Sequence, residues 1–288
     1  MIGDLPRPIA VVAHDAGAAN ILFAWLEDIR PSDLRVALAG PAETIWRAQF
    51  PDQPVLASID EALDGAASLV SGTGWASDME HDARVAAARR SIRSLAVLDH
   101  WVNYAPRFER ADTRQMPDAI LVGDAQAARI ARETFPETQV AQLPNLYLQR
   151  QARAAGPVPE SGDILFVMEP ARSTWGREKP GEFQALDHFM AHRGAAGIGK
   201  DVPMRLRPHP SDPPGKYDAW IAAHAGVTID TARDMGEALA GARWVAGLNS
   251  FALVIALEAG RTAISSLPRW APPCVLPHEK ILRLGGED

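Results

Sequence analysis

Short apolar runs alternate with helical patterns along almost this whole chain, and that alternation constrains the fold more than any single motif. Strand-like runs fall at 9–13, 34–38, 68–70, 95–98 and 119–122, and again at 164–168, 204–207, 244–247 and 263–265. Patterns of helical period lie between them, at about 17–29, 41–49, 80–93, 125–135, 180–193, 216–224, 235–240 and 250–259. Continuous apolar strands separated by helices belong to parallel sheets covered on both faces. The expected class is therefore α/β, with doubly wound Rossmann-like sheets.

One region breaks the rhythm. The stretch 143–162 is polar, of weak periodicity, and carries three prolines, Pro144, Pro157 and Pro159. It reads as a linker, dividing the chain into 1–145, a linker at 146–162, and 163–288. Ligands of such sheets bind outside the strand C-terminal ends, so the expected site is a cleft between two Rossmann-like domains. The tail after Trp270 has no strong period and is expected to include a helix returning to the first domain.

Composition narrows the function. A net charge of −7 argues against a nucleic-acid binder. The single cysteine, Cys274, excludes an internal disulfide or a cysteine-based zinc cluster. No carboxylate group of ligand spacing points to a metal, and no metal or cofactor is expected. The N-terminus has no signal-peptide pattern, and no apolar stretch approaches the roughly 20 residues of a membrane span. The expectation is a cytoplasmic protein whose membrane association, if any, is peripheral. The oligomeric state is not legible.

Candidate chemistry sits where strands end. The first strand runs into His14-Asp15-Ala16-Gly17, small residues that let a strand turn tightly into a helix. Asp15 has two readings, a general base for a sugar hydroxyl or a helix cap. His14 lies at the same mouth and also has a structural reading. The third strand leads into Gly72-Thr73-Gly74-Trp75, a loop suited to lie on a polar ligand, with Trp75 placed to stack on a sugar. Ser77-Asp78-Met79-Glu80 fits a capping box, which makes Glu80 structural. The fourth strand ends in Asp99-His100-Trp101, a proton-transfer pair if the chain turns there.

The second half repeats the arrangement. Arg172, Ser173 and Thr174 follow its first strand and are candidates for phosphate contact. Arg207-Pro208-His209-Pro210-Ser211 supplies a cation and an imidazole stiffened by flanking prolines. Asn249-Ser250 opens an apolar helix, whose N-terminal N–H groups favour an anion, and Glu258 lies two turns further along.

The second half resembles the nucleotide-binding domain of GT-B-fold enzymes, in which two Rossmann-like domains face each other. The run at 207–211 is similar to the His-Pro motif of bacterial sialyltransferases and polysialyltransferases. That resemblance implies His209 and Ser250 on the phosphate of a CMP-sugar donor, Glu258 on the ribose, and Asp15 as the base. The Asp/Glu-Asp/Glu-Gly base motif of those enzymes is absent from this sequence. The same architecture belongs to non-hydrolysing UDP-N-acetylglucosamine 2-epimerases and to small UDP-sugar hydrolases. The expectation is a metal-independent glycosyltransferase of bacterial surface glycan synthesis. It would join a nucleotide-activated sugar, a CMP-linked nonulosonic acid, to a glycan or protein acceptor. The alternatives are an epimerase or hydrolase of the same fold, and a non-catalytic nucleotide-sugar-binding protein.

Overall fold

The computed structural model describes residues 2–284 except Trp75, Ala76, Asp112 and Arg172. The chain forms two compact units, Met1–Tyr147 and Leu148–Asp288.

The first unit alternates β1 (Ile9–Ala13), α1 (Ala16–Ile29), β2 (Leu34–Leu38), α2 (Gly40–Gln49), α3 (Ile59–Leu63), β3 (Ser68–Ser71), α4 (Met79–Arg89) and β4 (Arg93–Leu98). A 3-10 turn at Ala105–Phe108 and a small antiparallel hairpin, β5 (Glu109–Arg110) and β6 (Thr113–Arg114), follow. The unit closes with β7 (Ala119–Val122), α5 (Ala125–Thr134) and β8 (Gln139–Gln142). Its six-stranded sheet has the order β2-β1-β3-β4-β7-β8, with every pair parallel.

Strand alternation explains the double winding. Ile9, Val11 and Ala13 pack on one face with Leu22, Phe23 and Leu26 of α1. Ala10 and Val12 pack on the other with Leu63 of α3 and Ala83 and Ala87 of α4. All five β1 residues are buried, which is why the strand reads as a continuous apolar run. Phe23 meets Trp46 of α2 edge-on at 4.9 Å, and each such buried side chain contributes about 1.5–3 kcal/mol over its exposed state.

Helix α6 (Leu146–Ala154) runs across the boundary of the units. The polar linker expected from 146 is thus helical over its first nine residues. None of these residues is buried, so the helix lacks the apolar face that sequence periodicity detects.

The second unit runs β9 (Asp163–Val167), α7 (Gly181–His192), β10 (Met204–Arg207), α8 (Asp218–Ala222), β11 (Val227–Ile229), α9 (Met235–Ala240), β12 (Ala242–Gly247), α10 (Phe251–Glu258), β13 (Thr262–Ser265) and β14 (Leu282–Arg283). Its parallel sheet has the order β11-β10-β9-β12-β13-β14, which is the Rossmann order. Ile164, Phe166 and Met168 pack with Ala185, Leu186 and Phe189 of α7. The helix expected after Trp270 is absent among the described residues; the tail ends in β14, which pairs with β13.

The strands missed from sequence lie at or beside sheet edges. β8 reads Gln-Val-Ala-Gln with no fully buried residue, β11 buries only Val227, and both residues of β14 are exposed. An edge strand has one neighbour and need not be apolar.

Candidate functional site

Each sheet reverses its direction of growth once, between β1 and β3 in the first unit and between β9 and β12 in the second. The loops leaving two such strands diverge to opposite faces and leave a crevice between them. Most of the described sequence-derived candidates fall around one crevice or the other.

In the first unit the β1 exit carries His14 and Asp15. Asp15 is the N-cap residue of α1, with extended backbone, but its side chain makes no capping bond. Its Oδ1 lies 2.7 Å from His14 Nδ1 instead, and both side chains are partly exposed, at 28% and 21%. The capping reading of Asp15 is thereby replaced: its carboxylate is turned toward the crevice. The other edge of the His14 ring lies against Gly40, where a Cβ would stand 2.7 Å from Nε2.

The β3 exit is pinned from below. Arg84 donates to the Gly72 carbonyl at 2.9 Å, Arg107 to that of Thr73 at 3.3 Å, and Arg110 to that of Gly74 at 2.7 Å. Arg84 is fully buried; burial pulls its guanidinium down to about 10, opposed by Glu80 one helical turn away. The Thr73 hydroxyl donates to Val97 O at 2.7 Å. The backbone of Gly72, Thr73 and Gly74 is therefore tied down at each carbonyl.

Glu80 is a correction to the sequence reading. The N-cap of α4 is Asp78, and Ser77 Oγ accepts from Met79 N, so no reciprocal capping box forms. The Glu80 side chain is 0% exposed and accepts from His14 N at 3.0 Å and Gly74 N at 2.5 Å. Burial pushes its carboxyl up to about 7 against the two backbone donors, and the Asp15 charge adds to the rise. The glycines exist for these carboxylates. A Cβ on Gly72 would stand 2.1 Å from Glu80 Oε1, and one on Gly74 2.1 Å from Asp15 Oδ2. Gly74 is itself buried and makes room for these carboxylates.

Asp99, at the β4 exit, is held by Arg107 at 2.6 Å and presses on Gly17, where a Cβ would stand 1.8 Å from Oδ2. Gly17 thus lets α1 start directly above Asp99. His100 packs its ring 5.3 Å from that of Trp101, whose indole donates to Asp124 at 2.9 Å. Trp75 lies outside the described residues. The structure thus gathers His14, Asp15, Gly17, Gly74 and Asp99 about one crevice, and adds Glu80, which the sequence reading made a capping residue, and Arg84, Arg107 and Arg110, which it passed over.

In the second unit Glu169, at the β9 exit, accepts from Asn249 N at 2.9 Å and so ties the two crevice loops together. Asn249 Oδ1 accepts in turn from Val275 N at 2.9 Å. Ser250 caps α10, its Oγ accepting from Ala252 N at 3.2 Å. A hydroxyl that accepts one bond still has a proton to donate. Ser173 and Thr174 are exposed in the β9 loop, where Ser173 Oγ accepts from Trp175 N; Arg172 lies outside the described residues.

His209 leads an exposed turn after β10. Its Nδ1 meets Ser211 Oγ at 2.7 Å, and its backbone N donates to Asp212 at 2.9 Å. Burial works to raise the Asp212 carboxyl, but hydrogen bonds from Lys216, His209 N and Tyr217 outweigh it and hold the group below its ordinary value. Arg207 is committed elsewhere: it pairs with the buried Asp230, which also binds Arg205. Glu258 is the last residue of α10, roughly 12 Å along the helix from Ser250. It faces a shallow surface hollow with Gln149, Arg153 and Gly156, and is not brought together with Ser250.

Among the described residues no group of three His, Cys, Asp or Glu side chains is arranged to hold a metal ion, and no helix is long and apolar enough to cross a membrane. No protein-family model matches the chain, and no curated protein does. Solved structures do match. One, from Listeria monocytogenes and provisionally described as a UDP-N-acetylglucosamine 2-epimerase, aligns with a TM-score of 0.57 at 13% identity, covering 90% of this chain and 79% of its own. Another, described as the glycotransferase of kitacinnamycin, aligns with a TM-score of 0.55 at 12% identity, covering 94% and 83%. The likeness establishes the fold: α/β, two parallel-sheet Rossmann-like units of the GT-B kind.

Proposed function

We propose that this chain is an enzyme acting on a nucleotide-activated sugar, and that its reaction is glycosyl transfer. The observation that carries this reading is the carboxylate of Asp15. It stands at the first unit's switch-point crevice, is not spent on capping α1, and is oriented by His14. A partly exposed carboxylate at such a point is placed to take the proton of an acceptor hydroxyl. The fold supports the reading, since the descriptions of both similar structures concern sugar-nucleotide or glycosyl chemistry.

In the proposed reaction the acceptor O–H gives its proton to Asp15. The oxygen attacks the anomeric carbon, and the bond from that carbon to the phosphate oxygen breaks with its electrons on phosphate. The second unit takes the nucleotide. His209, the Ser250 hydroxyl and the N-terminal amides of α10 supply donors to the departing phosphate, with Ser173 and Thr174 in the adjoining loop. We assign Arg207 to holding Asp230, not to the phosphate. A CMP-linked nonulosonic acid is the proposed donor, on the likeness of the 207–211 run to the sialyltransferase His-Pro motif, and a glycan or glycoprotein the acceptor.

The test is incubation with CMP-N-acetylneuraminate and, separately, UDP-N-acetylglucosamine, with and without an oligosaccharide acceptor. Nucleotide release that needs the acceptor supports transfer. Release into water without it, or epimerisation of the UDP-sugar, replaces transfer by the second chemistry of this fold.

A further inference from the structure

The reaction proposed above leaves Glu80 unused, yet Glu80 is the most deeply buried acid of its crevice. A leucine or methionine would fill the same space without the cost of desolvating a carboxylate. What the carboxylate adds is two acceptors facing two different loops. Oε1 takes the His14 N–H of the β1 exit at 3.0 Å, and Oε2 takes the Gly74 N–H of the β3 exit at 2.5 Å. The bridge also lies beside Asp15. Asp15 Oδ2 and Glu80 Oε2 stand 2.1 and 2.9 Å from one point above Gly74 Cα, so they are at most about 5 Å apart. Gly72 and Gly74 are the two residues whose missing side chains make room for this.

We propose that Glu80 is the positioning residue for Asp15, holding the β1 and β3 exits at a fixed separation through its two oxygens. The proposal deepens the reading of Asp15 as base and rests on it. Glu80 itself touches no substrate, since none of it is exposed.

The bridge depends on charge. As an anion Glu80 accepts from both amides. Once protonated, one oxygen carries a proton and accepts its amide less well, so one of the two bonds weakens. The charged groups around it are Asp15 and His14 from the β1 exit, Arg84 one turn along α4, Arg110 over Gly74 O, and the Arg107–Asp99 pair at Thr73. Burial pushes the carboxyl up to about 7, so the bridge weakens and tightens near neutrality. Asp15 then has its productive orientation on the alkaline side.

The experiment is nuclear magnetic resonance of the full chain between pH 5 and 9, and it needs no substrate. The amide signals of His14 and Gly74 are expected to move together with one midpoint near 7, and the Asp15 carboxyl carbon to report the same midpoint as an inflection. In Glu80→Gln that inflection is lost from all three signals. In Asp15→Asn the amide midpoint falls, because a neighbouring negative charge is gone. The proposal is overturned if the two amides do not titrate in the wild-type chain. It is equally overturned if Asp15 behaves identically in wild type and Glu80→Gln, since Glu80 is then only a brace. Failure of the base reading looks different: Asp15→Asn turns over substrate normally while the amide titration stands.

Discussion

The two switch-point crevices share a plan and differ in how it is built. In each, a carboxylate from outside one of the loops accepts a backbone N–H and ties the loop down: Glu80 to His14 and Gly74 in the first unit, Glu169 to Asn249 in the second. In the first unit the tie is fully buried, floored by three arginines and packed on glycines that a methyl group would overfill. In the second the loops are open, and the groups on offer are hydroxyls, an exposed imidazole and a helix N-terminus. A partly exposed carboxylate held beside a buried acid suits proton transfer. Open donors at a helix start suit an anion that arrives and leaves. One topology thus yields a rigid, acidic crevice and an open, hydrogen-bond-donating one.

That contrast breaks most sharply at Asp15. Asp15→Asn is expected to lower kcat by about 10²–10⁴-fold, the usual worth of a general base, with circular dichroism unchanged. Equal loss from Ser250→Ala would erase the distinction between the crevices.

The next effect is on stability. The Glu80 carboxyl, raised from 4.5 to about 7, holds its proton in the folded chain where the unfolded chain has released it. Its contribution is whole below 4.5 and is lost as pH rises through about 7, a decline of about 3 kcal/mol for this one group. Urea titrations from pH 4.5 to 7.5 should show the slope in the first unit's transition and its flattening in Glu80→Gln. A slope that survives the substitution has another source.

Gly17→Ala places a methyl group 1.8 Å from Asp99 Oδ2 and should cost about 1–3 kcal/mol, read as a fall in Tm. Gly176→Ala in the second unit meets no atom within 4 Å; its φ of 75° is its only strain, so its Tm should fall less. Smallest is Ser250→Ala, which removes a helix cap worth about 1 kcal/mol.

The fold was legible because buried parallel strands are short apolar runs. β1, β9 and β12 announce themselves in Ile9–Ala13, Asp163–Val167 and Ala242–Gly247. The edge strands β8 and β14 and the unburied helix α6 were not, since nothing forces their residues to be apolar. In the site, Asp15 and Gly17 stand next to a strand end and could be found by position. Glu80 could not: it sits in a helix, three residues after a serine, in a pattern that also spells a capping box. A fully buried acid declares itself only through what surrounds it, here glycines from another strand exit. Arg84, Arg107 and Arg110 were hidden for the same reason, for their partners are backbone carbonyls that no side-chain motif records. Glu258 shows the converse, since its spacing fits a helix face but the helix carries it to the far end from Ser250.

The central claim, that the first crevice does chemistry and the second holds the nucleotide, is tested most directly by calorimetric titration of CMP into three proteins. Wild type and Asp15→Asn are expected to bind CMP within about twofold of each other. Ser250→Ala is expected to bind it about tenfold or more weakly, the worth of one hydrogen bond to a charged phosphate. If Asp15→Asn weakens CMP as much as Ser250→Ala, or Ser250→Ala leaves it unchanged, the division between the two crevices is wrong.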